Sequence, residues 1–327
     1  MAIDQIYFVI TRRCNLFCSH CIRSSGPGLE EDLSLDSALK ALHSLSQHYS
    51  TANLLLSGGE PTLHKDFVDI AEEASKLFRR VTINTNGLRE SIVLSAVERG
   101  EGNIGVQISI DGAEKEHDSI RGTGTFKRSM KSVPAIAKHA DLTIATTVTQ
   151  KNIHSLKDLD LCLKEIPFNV WTLQREVIYG RASLSSEKIR TQEWNEFVRD
   201  FKNSSKNKNR VSVGTMFDFV TLSRMEKNPR MNCGTFTSKF YINPNLTVFP
   251  CGCLEDLILA DLTTDDAGII VNKMRAYQPK PMDGSPCGKC PFVNVCNGGC
   301  PGASFNYFGK YGVGDPRCPA VSDLILN

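Results

Sequence analysis

The sequence predicts an α/β fold, in which a parallel sheet flanked by helices is followed by a small cysteine-rich region. Short β-rich runs alternate with segments of helical periodicity as far as about Ala182. The composition then changes, because eight of the 12 cysteines fall between Cys233 and Cys318. We therefore expect a larger domain over residues 1–230 and a smaller one over residues 231–327.

Six β-rich runs are predicted as strands, at residues 6–11, 53–57, 80–85, 104–110, 142–148 and 168–173. Apolar residues recur at helical spacing between them, first at Leu35, Ala38, Leu39, Leu42 and Leu45 and then at Phe67, Ile70, Ala71, Ala74, Leu77 and Phe78. Successive βα units predict a parallel sheet with helices outside, either an open wound sheet or a partial barrel. In both cases the active site belongs at the carboxyl ends of the strands.

The region after the sixth strand has weaker patterns. A polar helix is expected around residues 193–202, and the turn-rich stretch at residues 203–210 is expected to be a loop or linker. The cysteine-rich segment has under 100 residues and few apolar runs, so a hydrophobic core alone would not support it. Metal ligation would supply the missing stability.

Charge and hydropathy exclude several classes of partner. The chain has 38 Lys and Arg against 36 Asp and Glu, so it lacks the strong basic field that holds nucleic acid. No stretch approaches the roughly 20 apolar residues that span a bilayer, and the apolar run at residues 6–10 is too short for a signal peptide. A cytoplasmic, reducing location is therefore expected, where clustered cysteines indicate metal ligands before disulfides.

Cys14, Cys18 and Cys21 form a C-x3-C-x2-C pattern directly after the first predicted strand. Three thiolates on one short loop can ligate three irons of a [4Fe–4S] cluster, for which four cysteines are the usual full set. The fourth iron is then left open to a small chelating molecule. A zinc site is the alternative, although its fourth local ligand would have to be His20, which could serve only with strain.

Polar motifs follow the next three predicted strands. They are SGGEP at residues 57–61, TNG at residues 85–87 and SIDG at residues 109–112, the last followed by His117, Asp118 and Arg121. Two glycines at the first of these would let a ligand approach the backbone, and Glu60 offers a carboxylate to an ammonium group. Each motif alone is explained by a turn, but their position at consecutive strand ends, facing one mouth, indicates a site.

These motifs together resemble the radical S-adenosylmethionine (radical SAM) superfamily, for which C-x3-C-x2-C followed by GGEP is specific. The resemblance covers residues from about 5 to 180 and implies a partial (β/α)6 TIM-like barrel. It implies that Cys14, Cys18 and Cys21 hold a [4Fe–4S] cluster that passes one electron into S-adenosylmethionine. Cleavage then yields a 5′-deoxyadenosyl radical, which abstracts hydrogen from an unactivated C–H bond.

The resemblance also implies a binding site for S-adenosylmethionine. Its implied contacts are Glu60 with the neighbouring Gly58 and Gly59 for the methionyl amine, Ser109 and Arg121 for the ribose and the methionyl carboxylate, and Asn86 near the same pocket. One residue departs from the family pattern. The position before the last cysteine is usually aromatic, such as Tyr or Phe, and is His20 here, so the usual contact that shields the cluster is not expected in the same form.

The later cysteines read C-x2-C-x5-C-x3-C at Cys287, Cys290, Cys296 and Cys300, with Cys233, Cys251 and Cys253 before them and Cys318 after them. Spacing alone allows one or two structural zinc sites. Behind a radical SAM barrel, this order resembles the seven-cysteine SPASM domain, which in that family carries two auxiliary [4Fe–4S] clusters. The chain is thus expected to hold three [4Fe–4S] clusters and S-adenosylmethionine.

The SPASM resemblance implies a division of these thiols, with an outer cluster on Cys287, Cys290, Cys296 and Cys318 and an inner cluster on Cys233, Cys251 and Cys300. Either Cys253 supplies the fourth inner ligand or that iron is open to substrate. Cys253 is also a candidate hydrogen-atom donor to a substrate radical, or a small buried residue in a tight turn. The remaining cysteine, Cys162, is expected to be a small core residue on a helix.

Three functions remain open at this level. Relatives that pair this barrel with a SPASM domain imply a peptide substrate that is crosslinked, oxidised or epimerised. The alternatives are oxidation of a hydroxyl on an aminocyclitol or sugar, and an iron–sulfur electron carrier. Because the first predicted strand begins at residue 6, a peptide substrate is expected to need a separate precursor-recognition protein or direct docking. An external reductant such as flavodoxin or ferredoxin is also implied.

Five residues are candidates for catalysis. Gln174 and Arg175 are expected in a loop after the sixth strand, and Asp111 and His117 are expected opposite them. Any of these could accept a proton in the second half of the reaction or could only position the substrate. Cys253 completes the catalytic candidates as the possible hydrogen-atom donor.

Overall fold

A ten-stranded sheet runs through the computed structural model, which describes residues 2–184, 188–214, 233–277 and 279–322. The strand order is β10-β9-β8-β1-β2-β3-β4-β5-β6-β7. The strands are β1 (Gln5–Val9), β2 (Asn53–Ser57), β3 (Arg80–Thr85), β4 (Ile104–Ser109), β5 (Leu142–Val148), β6 (Val170–Arg175), β7 (Val211–Val213), β8 (Lys239–Ile242), β9 (Thr247–Phe249) and β10 (Ala260–Asp261). Neighbouring strands are parallel along the part of the sheet β8-β1-β2-β3-β4-β5-β6-β7. The pairs β8-β9 and β9-β10 are antiparallel.

Helices cover the parallel part of the sheet. They are α1 (Leu35–Tyr49), α2 (Phe67–Leu77), α3 (Glu90–Arg99), α4 (Glu114–Arg121), α5 (Thr125–Ile136), α6 (Leu156–Leu163) and α7 (Thr191–Ser204). Helix α1 begins after Ser34, whose hydroxyl accepts from the Ser37 N–H at 3.2 Å. Its buried residues Leu42 and Leu45 belong to the same core as the strand residues Phe8 and Leu54. This arrangement confirms the predicted α/β fold with a partial TIM-like barrel.

Strand β6 ends later than predicted. The sequence placed its end at Leu173 and put Gln174 and Arg175 in the following loop, which is wrong. These two residues pair in parallel register with Thr147 and Val148 of β5, so the ladder carries the strand to Arg175. Their side chains therefore start from the rigid sheet instead of from a loop.

The cysteine-rich region contributes to the same sheet. Strand β8 pairs in parallel with β1, with Lys239 opposite Gln5, and strand β7 extends the other side of the barrel sheet beyond β6. Neither strand was predicted, because each has only three or four residues and its partner is distant in sequence. The domain boundary near residue 230 lies outside the described residues and stays a prediction, but the sheet continues on both sides of it.

The remaining helices are short and lie in the cysteine-rich region, as α8 (Ile270–Tyr277), α9 (Val293–Cys296), α10 (Pro301–Phe308) and α11 (Pro319–Ser322). Across the described ranges, no helix is both long enough and apolar enough to cross a membrane. All 12 cysteines are free thiols. Cys162 is exposed, so its predicted core position is wrong: α6 buries Leu159 and Leu163, and Cys162 lies on its other face.

Candidate functional site

A cavity of about 300 Å³ opens at the carboxyl ends of the parallel strands. Its wall includes the thiol-bearing residues Cys14, Cys18 and Cys21, which lie on the loop after β1, and residues at the ends of β2 to β4, namely Ser57, Thr85 and Ser109. The cysteine triplet and the motifs at the strand ends therefore share one cavity.

The two glycines after β2 are required by a close approach between two backbone segments. A Cβ atom on Gly58 would lie 2.6 Å from the carbonyl oxygen of Thr11, and one on Gly59 would clash with the carbonyl oxygen of Arg13. The Gly59 N–H donates to the Thr11 carbonyl at 2.9 Å. Both glycines line the cavity. Glycine is needed at these positions because the backbone of residues 11–13, which leads to Cys14, passes too close for a side chain.

The carboxylate of Glu60 is buried, since only 1% of the surface of the residue is exposed. It accepts hydrogen bonds from the Thr62 hydroxyl at 2.6 Å, the Thr85 hydroxyl at 2.8 Å and the Asn86 N–H at 2.8 Å. Burial raises the pKa of Glu60, and these donors oppose that shift. Glu60 thus joins the end of β2 to the end of β3, while the cavity is lined beside it by Gly58 and Gly59.

A buried ionic cluster lies beside the cysteine loop. Asp111, which is fully buried, accepts from Arg121 Nε at 2.5 Å and contacts His20 Nε2 at 2.6 Å, both through Oδ2. Burial favours a protonated Asp111, but Arg121 and His20 outweigh it and hold the pKa of that carboxyl well below its usual range. Arg121 Nη1 lies 3.9 Å from Cys18 Sγ, so the cluster reaches the thiols directly.

Arg181 fixes the cysteine loop from the other side of the mouth. Its Nε donates to the Cys18 carbonyl at 2.8 Å and its Nη2 donates to the Ser25 carbonyl at 2.6 Å, while its guanidinium lies 3.9 Å from the Phe17 ring centroid. Sequence reasoning missed this residue. The adjacent Gly180, at a position soon after the sixth strand, was the available signal, since a Cβ there would lie 2.5 Å from the Cys21 carbonyl oxygen.

Of the other candidate residues, some line the cavity and one contacts Asp111 behind it. Gln174 and Arg175 line the cavity, and burial lowers the pKa of Arg175 to about 10. Asn86 also lines it, and its Nδ2 donates to Asn15 Oδ1 at 2.8 Å, which ties β3 to the cysteine loop. His117 is not in the wall; it accepts from the Asp111 N–H at 3.1 Å, and burial lowers its pKa to about 4.

Four cysteines of the C-terminal region form a first group, which we call the inner thiol group: Cys233, Cys251, Cys253 and Cys300. A hydrogen bond between the thiols of Cys251 and Cys253 lowers the pKa of Cys251 and raises that of Cys253. Burial raises the pKa of Cys300 to about 12, with further increases from the nearby Cys233 and Cys251. A Cβ atom on Gly302 would lie 2.9 Å from the Cys253 Cβ and 3.8 Å from Cys300 Sγ. Cys253 is therefore a close neighbour of the other three.

The outer thiol group consists of Cys287, Cys290, Cys296 and Cys318. Burial, followed by the charges of Cys318 and Cys290, raises the pKa of Cys287 to about 11. Burial and Cys318 likewise raise the pKa of Cys296 to about 11. Asp315 lies between the two groups, because its Oδ2 accepts from the Cys300 N–H at 3.0 Å and its charge affects the Cys287 thiol.

A second cavity, of about 640 Å³, lies between the barrel mouth and the C-terminal region and is called the cleft below. Its wall combines Arg12 from the barrel with Glu255 and Tyr307 from the C-terminal region. Arg12 Nη1 donates to Glu255 at 3.1 Å. The cleft and the first cavity share the lining residues Ile22, Arg23, Val177 and Arg181, so the two spaces adjoin.

The donor set at the first cavity fits an iron–sulfur cluster. Cysteine thiolates are the usual ligands of [4Fe–4S] clusters, and three of them share one wall here. Among the described residues, no three His, Cys, Asp or Glu side chains converge closely enough to hold a single metal ion. The fold and this site define an α/β barrel protein with a three-cysteine centre at the carboxyl ends of its strands.

The family model described as the radical SAM superfamily matches residues 8–162. These residues therefore form a radical SAM domain. Sporulation killing factor maturation protein SkfB of Bacillus subtilis (strain 168) is 30% identical over 279 residues, which cover 83% of this chain and 65% of that protein. Mycofactocin maturase MftC of Mycobacterium ulcerans (strain Agy99) is 26% identical over 322 residues, covering 94% of this chain and 86% of that protein. The chain thus spans just under two thirds of the first relative and most of the second.

Solved structures share the fold. Streptococcus suis SuiB bound to precursor peptide SuiA superimposes with a TM-score of 0.76 at 16% identity, covering 98% of this chain and 76% of that chain. Native anSMEcpe with bound AdoMet and Cp18Cys peptide gives a TM-score of 0.75 at 18% identity, covering 100% of this chain and 96% of that chain. Both likenesses extend through the cysteine-rich region, because they cover nearly all of this chain.

Proposed function

We propose that this chain is a radical SAM enzyme that modifies a peptide by abstracting a hydrogen atom from it. The observation that carries the proposal is the single cavity that joins Cys14, Cys18 and Cys21 to the ends of β2, β3 and β4. Bound there, a [4Fe–4S] cluster and S-adenosylmethionine supply one-electron cleavage that gives methionine and a 5′-deoxyadenosyl radical. The residues around the cavity bind, orient and shield these groups.

The cavity wall supplies the contacts for S-adenosylmethionine. The backbone at Gly58 and Gly59 takes the methionyl amine, with Glu60 acting through the strand end that it holds. Arg121 supplies a cation for the methionyl carboxylate, Ser109 a hydroxyl for the ribose, and Asn86 a further polar contact. Glu60 is therefore assigned a positioning role, which differs from the direct amine contact that the sequence implied.

The C-terminal region is proposed to be a SPASM domain that holds two auxiliary [4Fe–4S] clusters, one on the inner and one on the outer thiol group. Each group has four cysteines, the usual full ligand set. The neighbourhood of Cys253 to Cys251 and Cys300 supports its role as the fourth inner ligand over that of a hydrogen-atom donor. Cys233, Cys251, Cys253 and Cys300 would thus hold the inner cluster, which would supply an electron acceptor for an oxidised substrate.

A peptide substrate is proposed because SkfB and MftC are maturation proteins by name and SuiB was solved with a precursor peptide. The cleft supports it, since a space of about 640 Å³ adjoins the cavity and can seat a chain segment beside it. Crosslinking, oxidation and epimerisation all begin with this abstraction. A separate precursor-recognition protein or direct docking of the peptide, a flavodoxin- or ferredoxin-type reductant and a cytoplasmic location complete the proposal, the last because clustered metal-binding cysteines are typical of a reducing compartment.

Proton transfer in the second half of the reaction is assigned to the cavity wall. Gln174 and Arg175 are in that wall and can position the substrate or hold a water molecule. Asp111 is fully occupied by donors and stays ionised, so we assign it to positioning. Cys253 keeps a catalytic role only if it is not an iron ligand.

The test is anaerobic reconstitution with iron and sulfide, followed by addition of S-adenosylmethionine and dithionite. We expect 5′-deoxyadenosine from the wild type and none from a Cys14→Ala, Cys18→Ala, Cys21→Ala triple variant. Its absence from the wild type would defeat the enzyme reading and favour an electron carrier. Deuterium transfer into 5′-deoxyadenosine from a labelled precursor peptide, and not from a labelled aminocyclitol, would identify the substrate class.

A further inference from the structure

His20 precedes the last cysteine of the triplet, and its side chain is buried, with 8% of its surface exposed. Its Nε2 lies 2.6 Å from Asp111 Oδ2. Because the Asp111 carboxyl is ionised, it can only accept hydrogen bonds, so His20 Nε2 carries the proton and donates. The imidazole therefore links the cysteine loop to the end of β4.

The Asp111 carboxylate is held at both oxygens. Oδ1 accepts from the Thr147 N–H at 2.8 Å, and Oδ2 is shared between His20 and Arg121 Nε. Without His20, Oδ2 would keep only the single contact to Arg121. The Thr147 contact holds one oxygen and the two donors at Oδ2 hold the other, so loss of His20 would let Oδ2 and its Arg121 partner move about the Thr147 contact.

Arg121 transmits this constraint to the cavity. Its Nε is occupied by Asp111, and its Nη1 faces Cys18 Sγ at 3.9 Å, with the side chain 11% exposed and lining the cavity. The orientation of the guanidinium toward a bound ligand therefore depends on the orientation of Asp111. His20 controls the orientation of Asp111, because it donates to Oδ2, the same oxygen that accepts from Arg121.

We propose that His20 is a positioning residue for S-adenosylmethionine, which acts through Asp111 to hold Arg121 facing Cys18 and the cavity. The inference rests on the proposed function, since it requires S-adenosylmethionine in this cavity. His20 also lines the cavity, but in this role it acts through Asp111 and sets the direction of the Arg121 guanidinium, two contacts away. A ring that lacks the donor would fill the same space without doing so.

Two substitutions separate the hydrogen bond from the packing. His20→Phe keeps an aromatic ring but removes the donor, and His20→Gln keeps an N–H donor at a similar reach. We expect the dissociation constant of S-adenosylmethionine to rise about tenfold in His20→Phe, equivalent to about 1.4 kcal/mol, and by less than about threefold in His20→Gln. Equilibrium dialysis on the reconstituted protein measures both.

Two further readouts exclude a merely structural role. Iron content should be the same in both variants as in the wild type. The change that S-adenosylmethionine causes in the electron paramagnetic resonance signal of the reduced protein should require about ten times more ligand in His20→Phe. As a control, His154→Phe removes an exposed histidine paired with Glu193 and should leave binding unchanged.

Three results would overturn the inference: wild-type affinity in His20→Phe, equal weakening in His20→Gln and His20→Phe, or loss of iron in His20→Phe, which would make His20 a support of the cysteine loop. Failure of the wild-type protein to bind S-adenosylmethionine would instead defeat the proposed function. The two failures are thus distinguishable in the same set of measurements.

Discussion

The barrel mouth and the C-terminal region both bury thiols, but they place them by different means. At the mouth, three cysteines lie on one loop that is fixed by backbone hydrogen bonds from the end of β2 and by the side chain of Arg181. In the C-terminal region, eight cysteines come from turns and short helices around the small strands β9 and β10. The sheet positions the first set, whereas the second set has little regular structure to position it.

This difference indicates what each region can do. A rigid edge of parallel strands can support an incomplete ligand set beside an open cavity, because the scaffold does not depend on the ligand. A region stabilised mainly by its ligands needs complete sets, and each C-terminal group has four thiols. The barrel mouth thus suits the radical chemistry proposed for it, and the C-terminal region suits the two auxiliary clusters proposed for it.

The sharpest test of the comparison is Cys18→Ala. We expect formation of 5′-deoxyadenosine to fall to the level seen without protein, with a loss of about four irons per chain, while the remaining iron stays bound. Iron analysis and chromatography of the products measure both. If Cys18→Ala also emptied the C-terminal groups, the two regions would not be independent.

The converse test is Cys253→Ala. We expect about four irons to be lost from about 12, because the inner group falls below a full ligand set, while cleavage of S-adenosylmethionine without substrate continues. Retention of all iron together with loss of product in the presence of substrate would show that Cys253 is a hydrogen-atom donor. Iron analysis beside a product assay distinguishes these outcomes.

Asp111→Asn tests the ionic cluster that supports the mouth. Removing the buried carboxylate leaves Arg121 without its partner, so we expect a loss of about 3–5 kcal/mol in the free energy of unfolding. The folded-state pKa of Asp111 is lowered, so its contribution is present above the unfolded pKa and is lost only as pH falls through the folded value.

The difference between the wild type and Asp111→Asn should therefore be constant between about pH 8 and about pH 9, above the range in which histidines ordinarily titrate. Denaturant unfolding of the reconstituted proteins under anaerobic conditions measures it. A difference that grows or shrinks across this range would show that Asp111 titrates there, contrary to its ionised assignment.

A pair of glycine substitutions compares the packing of the two regions. Gly59→Ala forces a methyl group against the Arg13 carbonyl and should cost about 1–3 kcal/mol of unfolding free energy, with reduced iron in the barrel. Gly252→Ala places its methyl 3.4 Å from the Ile22 side chain, an ordinary contact, and should cost less than about 0.5 kcal/mol. Equal costs would contradict the view that the mouth is the more rigid region.

The smallest effect is expected at Cys162. This thiol is exposed on α6, so Cys162→Ser should change the free energy of unfolding by less than about 0.5 kcal/mol and leave the iron content unaltered. Thermal unfolding and iron analysis are sufficient. A change in iron would mean that all 12 cysteines participate in metal binding.

Several elements were predictable because their signals are local. Strands β2, β3 and β5 have the predicted bounds, since β2 is a short apolar run and β3 and β5 alternate apolar with polar residues, many of them β-branched. Strands β7 and β8 were not predictable, because their few residues are strands only through pairing with β6 and β1. Cys162 was wrongly placed in the core for a related reason. The spacing of apolar residues predicts helix α6, but which face of that helix is buried depends on the elements that pack against it.

The candidate site shows the same limit at the level of side chains. The motifs correctly located Gly58, Gly59 and Glu60 at the mouth, but the sequence analysis explained all three residues by contact with a ligand. In the folded chain the glycines admit a neighbouring backbone, and Glu60 bonds to Thr85. Arg181 gave no motif, because its targets are backbone carbonyls more than 150 residues away.

The sequence by itself determined the parallel α/β architecture, the order of the cysteines and the polar residues at the strand ends, because periodicity and spacing are properties of the chain alone. Only the tertiary structure decided that β8 joins the barrel sheet, that Cys253 lies beside Cys300 and that His20 bonds to Asp111. These are contacts between distant residues, and their geometry is set by packing, which no local pattern encodes.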